Sequence, residues 1–310
     1  MTEYDLIVIG GGASGIAGAL KAKELGIKKV LIIDREESLG GVLNELVETG
    51  HGFMEKGMTG VEVAEHLKQK VKSTNIEVKL STLVLEVRRD KTVKYVSGIE
   101  GVKEIRTKAI IFATGARERP RGELNISSNK SAGIMSVGSC RKLIVNDGYL
   151  PGKNIIIYSQ DINSLYLSKM LIIEGARKVT IIEPSRGQKN VESYLDDVMN
   201  YENIEILYNT KIIQTLSNGR ITGIRIKNAD GIEVELPCDS LLLSVGISPS
   251  RRLFKKFRRG MDEIGMFVAG NADEVSFDLN VVMGKGNEAG IAATAYIKEI
   301  THPGSPLATS

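Results

Sequence analysis

The sequence has few of the residues that build disulfide frameworks or metal sites. Of its 310 residues only two are cysteines, Cys140 and Cys238, and they lie far apart in the chain. There is therefore no CxxC redox pair, no zinc-ligand spacing and no secreted disulfide framework. The three histidines are also scattered, so the sequence predicts no metal site.

Long apolar runs and a strong charge of one sign are missing too. No run of about 18 apolar residues occurs, and the N-terminus shows no basic and apolar leader. These absences predict a cytoplasmic protein without a membrane span. The net charge of +3 is too small and too dispersed to indicate a nucleic-acid partner.

Glycine is abundant by contrast, with 33 glycines against 7 prolines. Turns alone do not need so many, and the excess indicates places where backbone approaches backbone or a ligand. A length of 310 residues favours two domains, each large enough to bury its own core.

A strand–helix–strand pattern opens the chain. Residues 6–9 and 30–33 are apolar runs typical of buried parallel strands, and residues 14–25 between them predict a helix that ends at Gly26. The pattern returns 149 positions later, with strands predicted at 155–157 and 179–182. An internal repeat of this size predicts two related nucleotide-binding folds in one chain.

The remaining elements follow the same plan in both halves. Further strands are predicted at 77–80, 83–88, 93–97, 103–107 and 108–113, and in the second half at 204–208, 211–215, 221–227, 233–237 and 241–245. A late strand is predicted at 266–271 and a last helix at 288–300.

The first repeat carries a G-x-G-x-x-G motif at Gly10, Gly12 and Gly15. The first glycine permits the tight turn, the second lets backbone amides approach a pyrophosphate at the helix N-terminus, and the third allows close packing of helix on strand. Asp34 ends the second strand, where a carboxylate accepts the hydroxyls of a ribose. Strand, turn, helix, strand and acid in this order predict dinucleotide binding.

Three further motifs carry a resemblance to a known family: Ala-Thr-Gly-Ala-Arg-Glu-Arg-Pro at 113–120, Gly-Gly-Val-Leu-Asn at 40–44, and Gly-Asn at 270–271. With them the chain resembles the FAD-dependent pyridine nucleotide-disulfide oxidoreductases in their small, thioredoxin-reductase-like form, from about residue 4 to about residue 298. It lacks the redox disulfide of thioredoxin reductase. It is therefore more similar to members that resemble sarcosine oxidase alpha subunits and flavoproteins that accompany dehydrogenases.

The resemblance implies FAD as the cofactor of the first site. The residues implied to bind it are Gly10, Gly12, Ala13, Ser14, Gly15, Asp34, Arg35, Gly41, Val84, Ala113, Thr114, Gly115, Gly270, Asn271 and Gly290. Asn271 stands where the family usually has an aspartate, and it keeps an acceptor oxygen. A helix that begins near 287–290 would aim its positive end at the flavin.

The second repeat departs from the motif. The positions that correspond to the three glycines are Ser159, Asp161 and Ser164. A carboxylate beside a pyrophosphate costs a few kcal/mol per contact before screening. Glu183 remains at the ribose position, but an acid at a strand end is common for other reasons. The sequence favours a structural relic or a different ligand over conventional NAD(P) binding here.

The predicted fold class is α/β, with two Rossmann-like (FAD/NAD(P)-binding) three-layer domains, the second inserted in the first. The FAD-binding domain is predicted at 1–119 and 246–310, and the degenerate NAD(P)-binding-like domain at 120–245. The leading hypothesis is an FAD-dependent oxidoreductase that exchanges electrons with a partner protein or a small substrate. Two alternatives remain, an NAD(P)H-dependent flavin oxidoreductase with altered nucleotide binding and a non-catalytic FAD-binding assembly subunit.

Several features stay ambiguous in the sequence. No catalytic acid, base or nucleophile can be named, and His51 is more typical of a solvated loop than of proton transfer. Cys140 is expected to be buried as a small apolar residue. Our first interpretation of the basic run at 251–259 is a solvated helix with its apolar side packed. The second is a docking patch for an acidic partner protein. The partner would be a companion dehydrogenase subunit or an electron-carrier protein, and we expect an oligomer.

Overall fold

The structure is a computed structural model that describes residues 3–47, 57–119, 131–159, 163–184, 200–244, 246–257 and 260–302. The chain divides into two compact units. Unit 1 comprises residues 1–117 and 249–310, and unit 2 comprises residues 118–248. The domain boundaries at 119/120 and 245/246 stay predictions.

Unit 1 is built on a seven-stranded sheet. Its strands are β1 (Glu3–Ile9), β2 (Val30–Ile33), β3 (Glu77–Lys79), β4 (Thr82–Val87), β5 (Thr92–Ser97), β6 (Gly101–Phe112) and β17 (Met266–Val268), and its helices are α1 (Ala13–Glu24), α2 (Gly60–Lys72) and α5 (Leu279–Thr301). The order is β3-β2-β1-β6-β5-β4, with β17 also paired to β6. Strands β3, β2, β1, β6 and β17 run parallel, whereas β4 and β5 extend the sheet in antiparallel fashion.

Side chains of the central strands alternate between the two faces of this sheet, and both faces are buried. Leu6 and Val8 pack into the core beneath α1, α2 and α5, whereas Ile7 and Ile9 pack into a second core with residues of β4, β5 and β6. All four side chains are nearly inaccessible to solvent, as the unbroken apolar run predicts.

Unit 2 repeats this plan on a five-stranded sheet of order β11-β10-β9-β15-β8. Its strands are β8 (Ile134–Ser136), β9 (Asn154–Tyr158), β10 (Lys178–Glu183), β11 (Ile204–Tyr208) and β15 (Ser240–Leu243), with helices α3 (Val137–Asp147) and α4 (Asn163–Ile173) on one face. A separate antiparallel sheet of β12 (Lys211–Asn218), β13 (Arg220–Lys227) and β14 (Glu233–Pro237) packs through its apolar side chains on the other face. The chain passes from one unit to the other at β7 (Ala116–Glu118) and at β16 (Ile247–Pro249). These two strands form a two-stranded sheet.

The repeat seen in the sequence extends to single hydrogen bonds. The N–H of Gly10 donates to the carbonyl of Ile33 at 2.9 Å, and the N–H of Ser159 donates to that of Ile182 at 3.1 Å. Helices α1 and α4 are followed by Gly26 and Gly175, with φ of 94° and 99°. These bonds and angles fall at positions separated by the same 149 residues.

Two of the sequence predictions for unit 1 are wrong in detail. The strands predicted at 103–107 and 108–113 are one continuous strand, β6, because its first half pairs with β5 and its second half with β17. The last helix, predicted at 288–300, begins nine residues earlier at Leu279, where the carboxylate of Asp278 accepts the N–H of Asn280 at 2.8 Å. Glycines at 284, 286 and 290 obscured the helical pattern.

Candidate functional site

At two positions of the loop between β1 and α1, contacts within the protein require glycine. Gly10 has φ of 113°, and a β-carbon there would lie 2.2 Å from the carbonyl oxygen of Ala113. A β-carbon at Gly15 would lie 1.9 Å from the carbonyl oxygen of Gly10. These two glycines are needed for the turn and for the helix to approach the sheet, whatever the loop binds.

Gly12 is different from its two neighbours in the motif. It is the N-cap of α1, its φ is −77°, and any residue could adopt that conformation. A β-carbon at Gly12 would meet no atom within 4 Å in the part of the chain that the structure describes. Neither backbone strain nor packing within the protein therefore accounts for glycine at this position, and the open space in front of it is a cradle that a side chain would fill.

The first turn of α1 offers unpaired donors to this space. The first intrahelical hydrogen bond runs from the N–H of Ile16 to the carbonyl of Gly12, at 2.9 Å. The N–H groups of Ala13, Ser14 and Gly15 therefore have no intrahelical acceptor. The first turn contains no acidic residue and the N-cap supplies no side-chain hydrogen bond, so the positive end of the helix is free to bind an anion.

Asp34 lies beside the loop, at the end of β2. One carboxylate oxygen accepts the N–H of Gly11, and the other accepts the N–H of Glu36 at 2.8 Å. The residue is only 9% exposed. Since a carboxylate has about four acceptor positions, two remain for hydroxyl groups, as binding of a ribose requires.

Other predicted residues surround the N-terminus of α1. Gly41 lies so close that its β-carbon would be 3.1 Å from the Cα of Gly12. Gly270 has φ of 59°, and a β-carbon there would be 2.4 Å from Oγ of Ser14. Ala113 contacts Gly10, as described above. Three segments distant in sequence thus converge on the glycine loop.

The turn that follows β6 is tied to a later segment of unit 1. Oγ1 of Thr114 donates to the carbonyl of Ser250 at 2.7 Å, and the N–H of Ser250 donates to the carbonyl of Gly115 at 2.9 Å. Gly115 has φ of 64°. This turn lies at the carboxyl end of β6, which neighbours β1 in the sheet, and this is the edge where open α/β sheets bind ligands.

Arg35 and Val84 occupy contrasting environments. The side chain of Arg35 is 71% exposed, and its Nε lies 3.2 Å from the carboxylate of Glu36. Val84 is buried in β4, whose first residue, Thr82, donates its N–H to the carbonyl of Asp34 at 2.9 Å. The backbone at Val84 is thus two residues from a segment bonded to the predicted ribose-binding residue.

The amide of Asn271 is engaged within its own loop. Nδ2 donates to the carbonyl of Ser276 at 3.0 Å, and Oδ1 accepts the N–H of Ser276 at 2.9 Å. An aspartate could make only the second of these bonds. The loop therefore explains why this chain has asparagine at a position where an aspartate was expected.

Gly290 belongs to a helix crossing. It lies in the middle of α5, and a β-carbon there would be 2.6 Å from the carbonyl oxygen of Gly18 in α1. Gly286 contacts Ser14 in the same way. Packing of α5 on α1 therefore requires these glycines. The expected positive helix end near 287–290 is corrected to Leu279, after the capping residue Asp278.

Sequence reasoning missed two residues of this region. Gly11 donates its N–H to Asp34, and Gly40, with φ of 115°, donates its N–H to the carbonyl of Gly11 at 2.8 Å. The Gly-Gly pair at 40–41 was the available signal, because adjacent glycines mark close backbone approaches.

The corresponding positions of unit 2 carry serine at two of the three places where unit 1 has a motif glycine. Ser159 and Ser164 are buried, with 1% and 2% exposure. Ser159 is not among the described non-glycine residues with positive φ, so the left-handed turn of Gly10 is not reproduced. Asp161 lies outside the described residues, as does His51.

Both thiols are buried, whereas among the described residues of the basic run only Phe254 is buried and the cations are exposed. Cys140 and Cys238 are buried and free, and burial raises the pKa of each thiol to about 12. In the basic run, Phe254 is buried and stacks on Phe112 with ring centroids 5.0 Å apart. The segment forms a short 3-10 turn at Lys255–Phe257 in place of the expected helix, and residues 258–259 lie outside the described residues.

Metal binding and membrane spanning find no support in the described part of the chain. Within the described ranges, no group of three or more histidine, cysteine, aspartate or glutamate side chains could hold a metal ion. None of the helices in those ranges is both long and apolar enough to cross a membrane.

The fold and the site define the class of protein. Two units each place a strand–turn–helix and a strand-terminal acid on a parallel sheet, and unit 1 adds an open glycine cradle at a helix N-terminus. These features define a protein with two dinucleotide-binding folds. Sequence comparison then gives the family, because the profile described as "Pyridine nucleotide-disulphide oxidoreductase" matches residues 4–275. The chain belongs to this family and is an FAD-dependent oxidoreductase.

Individual relatives agree with this placement. The chain is 24% identical over 314 residues to a thioredoxin reductase of Listeria monocytogenes, covering 96% of this chain and 95% of that protein. It is 24% identical over 311 residues to one of the subunits of alkyl hydroperoxide reductase from Staphylococcus aureus, covering 95% of this chain but 59% of that protein.

Solved structures confirm the predicted fold class. Thioredoxin reductase of Lactococcus lactis superimposes with a TM-score of 0.77 at 19% identity, covering 96% of this chain and 99% of that one. L-proline dehydrogenase from P. horikoshii superimposes with a TM-score of 0.67 at 20% identity, covering 97% of this chain and 56% of that one.

Proposed function

We propose that unit 1 binds FAD and that its flavin exchanges electrons with a partner protein or a small substrate. The observation that carries the first half is the open cradle at Gly12. Gly10 and Gly15 are required by contacts within the protein, whereas Gly12 leaves open space directly at the N-terminus of α1, where an anionic group would lie. The family membership supports FAD as that group.

Each part of the cradle has a role toward a dinucleotide. The N–H groups of Ala13, Ser14 and Gly15 would bind the pyrophosphate, since they are unpaired and lie at the positive end of α1. Asp34 would accept the ribose hydroxyls, and the backbone near Val84 would contact the adenine. The turn at Thr114 and Gly115 and the backbone at Gly41 and Gly270 would line the rest of the cofactor.

FAD, when bound, supplies the redox chemistry, and the protein supplies orientation and electrostatics. In this chain the described residues near the loop contribute mostly backbone groups and one carboxylate. They bind and position the cofactor, and none of them is proposed as a proton donor or acceptor. The buried thiols are not proposed to take part, because their raised pKa keeps them protonated near neutral pH.

We further propose that NADH and NADPH are not the electron donors at a conventional site in unit 2. Two of the three loop positions there are buried serines, and the sequence has an aspartate at the third. Electrons would then come from a companion dehydrogenase subunit, an electron carrier or a small substrate. The alkyl hydroperoxide reductase relative is named as one component of a larger enzyme, which supports a protein partner. Cytoplasmic location and oligomer formation remain predictions.

Substitution of Gly12 by alanine tests the cofactor site. We expect Gly12→Ala to fold like the wild type and to bind FAD at least about 10-fold more weakly, because the new methyl group occupies space next to the pyrophosphate. Gly98→Ala is the matched control, since Gly98 lies in the turn between β5 and β6, is equally open, and has no positive φ. The measurement is the flavin absorbance and FAD titration of purified protein.

The outcomes separate the hypotheses. Equal FAD affinity in Gly12→Ala and wild type would contradict the proposed cradle. A wild-type protein that is colourless and takes up no added FAD would favour a non-catalytic assembly subunit.

Anaerobic titration tests the electron route. We expect dithionite to reduce the flavin fully, and NADH or NADPH at millimolar concentration to reduce it slowly or not at all, because the unit 2 loop lacks the glycine cradle. Stopped-flow absorbance measures both rates. Rapid, saturable reduction by either nucleotide would establish the alternative, an NAD(P)H-dependent enzyme with altered nucleotide binding.

A further inference from the structure

Unit 2 contains a buried arginine, Arg141, in which two side-chain nitrogens have no hydrogen-bond partner in the described part of the chain. Arg141 lies in the first half of α3 and is only 4% exposed. Its Nε and Nη2 atoms are inaccessible to solvent and have no hydrogen-bond partner. Arginine cannot give up its charge at physiological pH, and a buried charge left unpaired is strongly destabilising. A buried group of this kind requires an explanation.

The two unpaired atoms lie on one edge of the guanidinium. Nε and Nη2 point their N–H groups in parallel, and this pair of donors matches the two oxygens of a carboxylate or phosphate. A water molecule could accept such bonds but could not neutralise the charge. Two ion pairs of unit 2, Lys178–Glu205 and Arg225–Glu235, do not involve Arg141.

Arg141 belongs to the buried stripe of α3. Val137, Cys140 and Ile144 share this stripe at helical spacing and pack into the core that includes β9 and α4. Long side chains on a helix lean toward its N-terminus. Arg141 is the fifth residue of α3, so this tendency favours a position of its side chain over the first turn of the helix, which β8 precedes directly.

That end of the sheet is where ligands bind in open α/β folds. β8 pairs in parallel with β15, and β15 pairs in parallel with β9, so their carboxyl ends share one edge. Ser159 and Ser244, which follow β9 and β15, are both buried there. The N-terminus of α3 is already occupied by its own caps, because Glu118 accepts the N–H of Gly138 at 2.7 Å and Ser136 accepts that of Ser139 at 3.2 Å.

We propose that unit 2 binds a small molecule through an oxyanion, a phosphate or a carboxylate group, held by the Nε–Nη2 edge of Arg141. Arg141 would thus supply an anion-binding group in a unit whose loop has no glycine at the three motif positions. Such a site does not depend on what unit 1 binds.

Thermal unfolding of the purified full chain in Tris buffer tests this site with inorganic phosphate and acetate as probes. We expect at least one of them to raise the unfolding midpoint of the wild type saturably. Arg141→Met should abolish this effect and also raise the midpoint in anion-free buffer, because it removes an uncompensated buried charge. A purely structural arginine would give the opposite sign in anion-free buffer. Arg177→Met is the matched control, since Arg177 is an exposed arginine of the same unit.

Arg141→Lys provides a second measurement. Lysine keeps the positive charge but lacks the two parallel N–H donors of the guanidinium. We therefore expect a folded protein whose affinity for the active probe falls about 10-fold or more. The probe that acts at the lower concentration identifies the group on the natural ligand. The proposal is overturned if neither probe stabilises the wild type, if either Arg141 variant responds like the wild type, or if Arg141→Met lowers the midpoint or does not fold.

Discussion

The turn after β1 in unit 1 and the turn after β9 in unit 2 begin alike and end differently. Gly10 and Ser159 make equivalent hydrogen bonds to the neighbouring strand, and both turns lead into a helix that is followed by a glycine of positive φ. The first turn leaves open space at Gly12, whereas at the described positions of the second turn the side chains of Ser159 and Ser164 are buried. The two turns thus share the hydrogen bond and the helix end that packing requires, and they differ in the side chains at the three motif positions.

The largest expected effect is on the free energy of unfolding, at the third motif position, which is Gly15 in unit 1 and Ser164 in unit 2. Gly15→Ala should lower the free energy of unfolding by about 3 kcal/mol or more, because its β-carbon would lie 1.9 Å from a backbone oxygen that cannot move away. Ser164→Ala should cost only about 1 kcal/mol, the value of one buried hydrogen bond. Urea unfolding followed by circular dichroism measures both. Equal stabilities of the two variants would show that the loops are not differently packed.

The second prediction contrasts the acids that end the second strands. Asp34→Asn should weaken FAD binding about 10- to 100-fold, because an amide cannot accept both N–H groups that Asp34 now accepts and still bind a ribose. Glu183→Gln should leave FAD affinity unchanged. Fluorescence titration of the apoprotein with FAD gives both values. A strong effect of Glu183→Gln on FAD affinity would be the contradicting result.

The smallest effect concerns Asn271, where unit 1 itself departs from the family pattern. Asn271→Asp should lower stability by about 1–2 kcal/mol, since a carboxylate oxygen would face the carbonyl of Ser276 in place of the present donor. FAD affinity should not improve. Thermal unfolding and FAD titration of the variant provide the test, and a tighter, more stable Asn271→Asp protein would refute this explanation of the asparagine.

Much of the fold followed from local patterns. Central strands such as β1 and β9 are unbroken apolar runs, and a run of that kind has few alternatives to a buried parallel strand. The start of α5 was placed too late, because its glycines weaken the helical signal. Two of those glycines, Gly286 and Gly290, are explained by contacts with α1, nearly the whole chain away, and no local pattern contains that information.

The candidate site likewise has some features that the sequence predicts and others that depend on the folded chain. The spacing of Gly10, Gly12, Gly15 and Asp34 indicated a dinucleotide loop, because the turn, the helix start and the strand end are all local features. The role of Asn271 and the assignment of Gly290 to helix packing could not be predicted, since each depends on a partner that only the folded chain supplies.

By itself the sequence determined the fold class, the internal repeat and the position of the glycine loop, because these depend on residue spacing within a few dozen residues. The tertiary structure alone distinguished Gly12 from its neighbours in the motif and left the guanidinium of Arg141 buried without a partner. Space and burial are properties of neighbours brought together from distant parts of the chain, so they exist only after folding.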